Sequence, residues 1–427
     1  MISFNLVSVR QFIYLLLLWI FLSPALLFAK ESAHQELEAV SLRLQWKHQF
    51  EFAGFYAAIE QGYYRDAGFA VTLHEFDNSV NQIEEVVNGT MEFGIWGEGV
   101  LQAFMEGQPV QLLANYFKHS PLILVTQPEL QSPADLRGKR LMISTVNLKN
   151  SGLLQMLTRY SLSPDDITQV LPSFDINDFI NGSVDAYLAF ATNEPFQLQQ
   201  QKVNFNILSP ANYGADLYDV NLFTSRDYAR RNPEGVFRFI EASNRGWEYA
   251  LSHPEEIIDL IQQRYNSQHK SREALHFEYQ KMLEFIQPNR FAIGSIDYKR
   301  LQLMGDLFAQ RGIVQPLEDY HPFIFSSYLW RDDLHLTAAE RTFILNHPVI
   351  RVHNEKSWAP LNFNYRGQPS GYSIDLLNLL FSKLNLRAEY VTGPSWEQFL
   401  QLLEQRQIDI VSNMAITPDR QQYTLYS

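Results

Sequence analysis

Apolar positions alternate at Leu42, Leu44 and Trp46, with Arg43 and Gln45 between them. That is the period of a strand with one buried face. An aromatic-rich stretch follows, and 53–61 reads as a short helix closed by Gly62, a residue that tolerates positive φ. Residues 71–76 alternate again, 80–88 read as a helix ending at Gly89, and 91–96 supply a third strand. The same order returns over 350–413: strand, aromatic loop, helix, strand, helix, short strand. A βαβα start used twice predicts two modules that each hold something small where strands meet helices, which is an arrangement for binding rather than chemistry.

Between the two, 110–116 and 122–126 are strand-like. Ser132 and Pro133 open one helical turn before a strand that ends near 144. Pro164 with two acids predicts another helix start over 163–167, and 184–190 is a strand entered through Gly182. From Asn232 the pattern turns helical, with Pro233 opening 234–252, Pro254 opening 257–265, and Ser295 capping 296–311 before Gly312. Residues 316–336 lack a period and read as a connector, and 337–346 form a short helix before His347 and Pro348. The second module starts at Val349, and its pattern to Ser427 is that of a first lobe, read as a truncation.

A length of 427 residues allows about two or three domains. With 46% hydrophobic and 19% charged residues there is ample material for packed cores. A net charge of −13 argues against nucleic acid or an anionic membrane surface as the main partner. Arg10 precedes an apolar run over 12–29, broken by Ser23 and Pro24 and followed by Lys30. This predicts an export signal over 1–29 and a periplasmic location for the rest. Leu27 fits the small-x-small cleavage rule poorly, so a retained anchor is the alternative. The chain has no cysteine, which excludes thiolate metal sites, iron–sulfur clusters and a cysteine nucleophile.

Several stretches carry a family resemblance: LQWKHQFEFAGFYAAIEQGYY at 44–64, FKHSPLILVT at 117–126, SPADLRGKRLMIS at 132–144, INGSVDAYLAFATNEP at 180–195, YGADLYDVNLFTS at 213–225 and ASNRGWEYALSHPEE at 242–256. Together they resemble the substrate-binding family of thiamine-pyrimidine-precursor, alkanesulfonate and nitrate binders. The version they look most like stands at the N-terminus of bacterial membrane sensors, ahead of kinase or diguanylate cyclase domains. Trp358-Ala359-Pro360, the run from Gly371 to Asp375, and NMAITPDR at 413–420 resemble the family 3 extracellular solute-binding domain. The resemblance implies an α/β, two-lobed, type II periplasmic-binding-protein-like domain over 41–315. A connector over 316–346 and the first lobe of a second such domain over 347–427 follow. The first family also holds thiamine pyrimidine synthases. Aligned to them, the cofactor lysine falls on Trp96, the consumed histidine on Val100, and no cysteine stands near 217–224. That argues against an enzyme, because without the amine there is no Schiff base.

In doubly wound folds ligands sit at the carboxyl ends of strands. This selects Trp46 and His48 after the first strand, Trp96 and Glu98 after the third, Tyr116 on the next, and Asn193 and Glu194 after 184–190. An aromatic sandwich drawn from Trp46, Phe55, Trp96 and Tyr116 suits a flat, weakly polar ring. Glu98, His48 and Asn193 are placed to bond its edge. His119 and His253 read as structural, and Trp247 and Tyr249 as packing within the C-terminal helices. In the second module the resemblance implies that Arg420 holds a ligand carboxylate, with Trp358 and Tyr365 as an aromatic wall. The expected ligand is pyrimidine-like or another small polar compound, with an amino acid in the second module; no metal, cofactor or catalytic group is expected. The leading reading is ligand sensing for a membrane signalling protein. The alternatives are the binding component of an ABC importer, with a permease as partner, and the synthase.

Overall fold

A computed structural model describes residues 36–144, 148, 152–310, 312 and 314–426. The expected export signal lies outside these residues. The chain lays down β1 (Glu38–Arg43), β2 (Phe69–His74), β3 (Phe93–Trp96) and β4 (Val110–Phe117), then crosses to a second lobe. There β5 (Leu122–Thr126), β6 (Arg140–Met142), β7 (Thr168–Val170), β8 (Ala186–Phe190) and β9 (Asn206–Leu208) form a sheet of order β7-β6-β8-β5-β9. The chain then returns, and β10 (Asp219–Ser225) inserts between β3 and β4, giving the order β2-β1-β3-β10-β4. β1 runs parallel to β2 and β3, and β10 runs antiparallel to both neighbours. Two crossings therefore join the lobes, at 118–121 and 209–218.

Each sheet is covered on both faces. In the first lobe, helices Ala53–Glu60 and Pro233–Ser252 pack one side with Phe55, Tyr56 and Trp247 fully buried. The two helices touch backbone to backbone: a Cβ added at Gly246 would lie 2.1 Å from the Gly54 carbonyl oxygen. Helices Gly99–Met105 and Tyr298–Gln310 close the other side over Val100, Phe308 and Tyr320. In the second lobe Leu124, Ile143 and Leu157 fill one face and Val125, Phe179 and Leu198 the other.

Three differences from the sequence expectations stand out. Residues Pro164–Asp166 form a single 3-10 turn boxed by Ser163 and Asp166, which leads into β7 rather than into a helix. The last helix of the first module begins at Tyr298, two residues later than its period suggested. Helix Arg272–Ile286 and strand β10 gave no clear periodic signal.

The connector is tied to the first lobe. Ile324 bridges Leu112 of β4, and the Phe325 amide donates to the Leu112 carbonyl at 2.8 Å. Helix Ala338–Asn346 then starts in a capping box between Thr337 and Glu340. The second module consists of β11 (Val349–Asn354), the small sheet β12 (Ser357–Trp358), β13 (Asn362–Tyr365) and β14 (Gln368–Ser370), and β15 (Arg387–Thr392) parallel to β11. Helices Tyr372–Leu384 and Trp396–Glu404 complete it. It docks on the connector through Asn385, whose amide donates to the carbonyls of His321 at 2.9 Å and Ile324 at 3.1 Å.

Candidate functional site

The carboxyl ends of β1, β2 and β3 each deliver one aromatic ring. Trp46 stacks on Phe76 with centroids 5.1 Å apart, and Phe76 stacks on Trp96 at 6.3 Å. The three rings form one ladder along the first-lobe edge of the cleft. Phe174, in the loop after β7, comes from the second lobe to meet Trp46 at 5.2 Å. Phe174 is 52% exposed. Phe76 closes the stretch 71–76 that alternates, but β2 ends at His74, and in the sequence the ring reads as part of the strand rather than of a site; Phe174 lies in a loop and has no period to mark it.

Beneath the ladder is a buried polar floor. The Gln45 amide donates to Glu51 Oε1 at 2.6 Å and to Asp219 Oδ1 at 3.1 Å. The Gln49 amide donates to Glu51 Oε2 at 2.5 Å. Ser120, on the first crossing, donates to Asp219 Oδ2 at 3.0 Å, so the acid that opens β10, just past the second crossing, holds the first. Burial, together with the nearby Asp219, pushes the Glu51 carboxyl up to about 8, and burial raises Asp219 as well. Asn221 donates to the Gly97 carbonyl at 3.0 Å, tying β10 to the loop after Trp96.

A second lobe-to-lobe link lies in the helical part. Lys270 donates to Asn193 Oδ1 at 2.6 Å and pairs with the buried Glu278. Glu278 in turn accepts the Phe50 amide at 2.8 Å.

The sequence-selected residues divide accordingly. Trp46 and Trp96 stand in the ladder. Phe55 and Tyr116 do not line the cleft: both are fully buried, edge to face with each other at 5.6 Å and packed on Trp247. They sit on the sheet face turned to the helices, so their place at strand and helix ends was misleading. His48 is a loop bonder, its Nδ1 3.0 Å from the Tyr56 hydroxyl and its amide donating to Glu75 at 2.6 Å. Burial lowers its pKa, against the pull of Glu75. Glu98 lines a small space at the crossings with Ser120, Gly152, Pro210 and Leu217. Asn193 bonds Lys270, and Glu194 accepts the Phe190 amide at 2.7 Å. In the second module Trp358 and Tyr365 are 42% and 57% exposed. Arg420 lies over Trp396 at 5.5 Å and donates to the Ala415 carbonyl at 3.0 Å, so its guanidinium is partly spoken for.

Comparison with known proteins places this geometry. Residues 49–257 match the family described as NMT1/THI5 like, and residues 350–427 match bacterial extracellular solute-binding proteins, family 3. The chain is 28% identical over 239 residues to the riboflavin-binding protein RibY of Chloroflexus aurantiacus, covering 54% of this chain and 67% of that protein. It is 23% identical over 237 residues to the formylaminopyrimidine-binding protein of Halalkalibacterium halodurans, covering 54% and 72%. The solved periplasmic aliphatic sulphonate binding protein SsuA of Escherichia coli superposes with a TM-score of 0.52 at 16% identity, over 68% of this chain and 98% of that one. SsuA of Xanthomonas axonopodis pv. citri gives 0.51 at 17% identity, over 65% and 95%. The fold is that of the two-lobed periplasmic binding proteins. No helix among the described residues is long and apolar enough to cross a membrane.

Proposed function

With an NMT1/THI5 like module followed by part of a family 3 solute-binding domain as the premise, we propose that this chain is an extracytoplasmic receptor for a flat nitrogen heterocycle. The observation that carries the reading is the Trp46–Phe76–Trp96 ladder opposed by Phe174 across the lobe junction. A planar ring enters between the lobes and stacks on the ladder, each aromatic contact adding about 0.5–1.5 kcal/mol beyond area burial. The lobes part at the two crossings to admit it, and Phe174 and Asn193 return to their contacts with Trp46 and Lys270 around it. The relatives named for riboflavin and formylaminopyrimidine both bind flat heteroaromatic compounds, which agrees with this cleft.

Two settings fit such a receptor. The sensing input of a membrane signalling protein is favoured by the connector, which joins a second solute-binding segment directly to the first lobe. The binding component of an ABC importer is the second reading, favoured by the relatives named as stand-alone binding proteins. A synthase is disfavoured. The positions aligned to its lysine and histidine are Trp96, in the ladder, and Val100, buried in the core. The 4-amino-5-hydroxymethyl-2-methylpyrimidine phosphate synthase THI13 of Saccharomyces cerevisiae is 22% identical over 250 residues.

Tryptophan fluorescence and thermal stability, read while riboflavin, aminopyrimidines, sulfonates and amino acids are titrated, test the receptor reading. Quenching together with a rise in Tm for a heterocycle is expected. Loss of the idea follows if none of these compounds moves either signal.

A further inference from the structure

Both crossings between the lobes are bonded to one short stretch, residues 295–300, at the start of helix Tyr298–Gln310. On the first crossing the Lys118 ammonium donates to the Ser295 carbonyl at 2.5 Å and to the Asn115 carbonyl at 2.9 Å. On the second, Asp216 accepts from Arg300 at 2.8 Å, and the Tyr218 hydroxyl accepts the Asp297 amide at 3.1 Å. The Arg300 guanidinium also lies 5.0 Å above the Tyr218 ring. His119 Nδ1 stands 2.8 Å from Asp216 Oδ2, so one carboxylate ties the two crossings to each other and to the helix. The side chains of His119, Asp216 and Arg300 are 28%, 35% and 23% exposed. Ion pairs this open to water are weak, so the triad can break and re-form as the lobes swing. Breaking a dry pair is far costlier, and such a pair would hold the crossings at one angle.

The same stretch carries the seat of the second module. The Tyr298 hydroxyl donates to Asp319 Oδ1 at 3.2 Å and accepts the Tyr320 amide at 3.2 Å, while its ring stacks on His321 at 4.0 Å. Asp319 also accepts the His321 amide at 2.9 Å. His321 and Ile324 supply the two carbonyls to which Asn385 donates. Only Lys299 separates Arg300, on the hinge, from Tyr298, on the connector. At 3.6 residues per turn, two side chains spaced this way leave the helix about 200° apart, on opposite sides.

Resting on the receptor reading, we infer that this helix start is a lever that reports the angle between the lobes to the second module. With the lobes closed, Asp216 bridges His119 and Arg300. Parting the lobes rotates one crossing against the other, and Asp216 then loses one of its two partners. The helix start shifts with that exchange about its packed seat at Leu301, Met304 and Phe308. Tyr298, on the opposite side, carries the Asp319–His321 segment along, and with it the carbonyls on which the second module hangs. Displacements of about 1–2 Å at packed contacts of this kind are enough to switch an interface.

The test is double electron–electron resonance on the full chain, which has no cysteine, so that two introduced cysteines carry the only spin labels. The exposed pair Asp66→Cys with Glu129→Cys reads the angle between the lobes. The exposed pair Asp66→Cys with Gln401→Cys reads the second module against the first lobe. The lobes are moved in two ways, by adding riboflavin or 4-aminopyrimidine, and by Phe174→Ala combined with Lys270→Ala. The expected result is that both distances shift together, each by about 2 Å or more. Arg300→Gln should leave the first shift in place and abolish the second. So should Asn385→Gly, which removes the amide yet suits the left-handed backbone, φ +54, at that position. Should Arg300→Gln fail to fold, Asn385→Gly decides. A lobe shift without a second-module shift overturns the lever, and so does a second-module shift that survives either substitution. If neither compound moves the lobes but the double substitution does, the receptor reading suffers and the lever is still decided. Lobes that none of these moves overturn both.

Discussion

Glu51 shows how one residue sets a solution property of the whole first module. Its folded pKa, about 8, stands above the ordinary 4.5, so the folded state holds the proton more tightly than the unfolded chain does. Its contribution to stability is full below about 4.5 and is lost as pH rises through 8. Burial raises Asp219, Glu278 and Glu194 in the same direction. The ligand-free protein is therefore expected to lose thermal stability between pH 5 and pH 8. Glu51→Gln should flatten that slope, and an unchanged slope would assign it to another group. His353 in the second module works oppositely. Burial lowers it to about 4 from 6.5, so its neutral form gains stability as pH rises across that window. At the ladder, Phe76→Ala removes the ring between the two tryptophans, and heterocycle affinity should fall about tenfold by calorimetry. Trp46 and Trp96 were legible because they close alternating strands. Phe76 reads as the last residue of an alternating strand, not as a site residue; Phe174 and the Gln45–Glu51–Asp219 floor were not legible, since a loop residue has no period and the floor joins residues far apart in sequence.

Among the elements, the contact between helices Ala53–Glu60 and Pro233–Ser252 tolerates no side chain at its closest point. Gly246→Ala would push a methyl against the Gly54 carbonyl and the Ala58 Cβ, 2.1 and 2.7 Å away. A loss of about 1–3 kcal/mol in urea unfolding is expected. Gly235→Ala, on the same helix, meets nothing nearer than 3.7 Å and should be neutral or stabilising by up to about 1 kcal/mol. Equal effects from the two would refute the close-contact argument. The strands with one solvent-facing side were visible in the sequence as alternation. β10 was not, because every one of its residues is buried and a strand covered on both faces alternates nothing. Helix Arg272–Ile286 was obscured because its inward stripe of Leu275, Met282 and Ile286 includes the buried Glu278.

At the scale of the molecule, the lobes touch at Trp46–Phe174 and at Lys270–Asn193. These contacts favour the closed arrangement. Phe174→Ala combined with Lys270→Ala should open it, seen as a larger radius of gyration in solution scattering, with ligand restoring compactness more weakly than in the unmodified chain. A radius unaffected by the double substitution would show that the crossings alone set the angle. Val220, beside the buried Asp219 at the start of β10, has φ +48, a left-handed value costly for a β-branched side chain. The two-lobe plan was legible from motifs spread along the chain, whereas the closed angle depends on these few pairs and had no trace in the pattern.

The late insertion of β10 also bears on the order in which the protein can assemble. Residues 122–208 are contiguous and hold every strand of the second sheet, so that lobe can form as soon as its own stretch is free. The first sheet has to wait: β3 and β4 are joined into one sheet only when β10, made more than a hundred residues after β4, pairs with both. Until then each carries an unpaired edge, which is sticky toward other chains. Its pairing also spans a long sequence separation, which slows folding. For a chain that emerges N-terminus first, the hazardous interval runs from the emergence of Val110 to that of Ser225. A chaperone that binds extended segments would protect it most by covering β4.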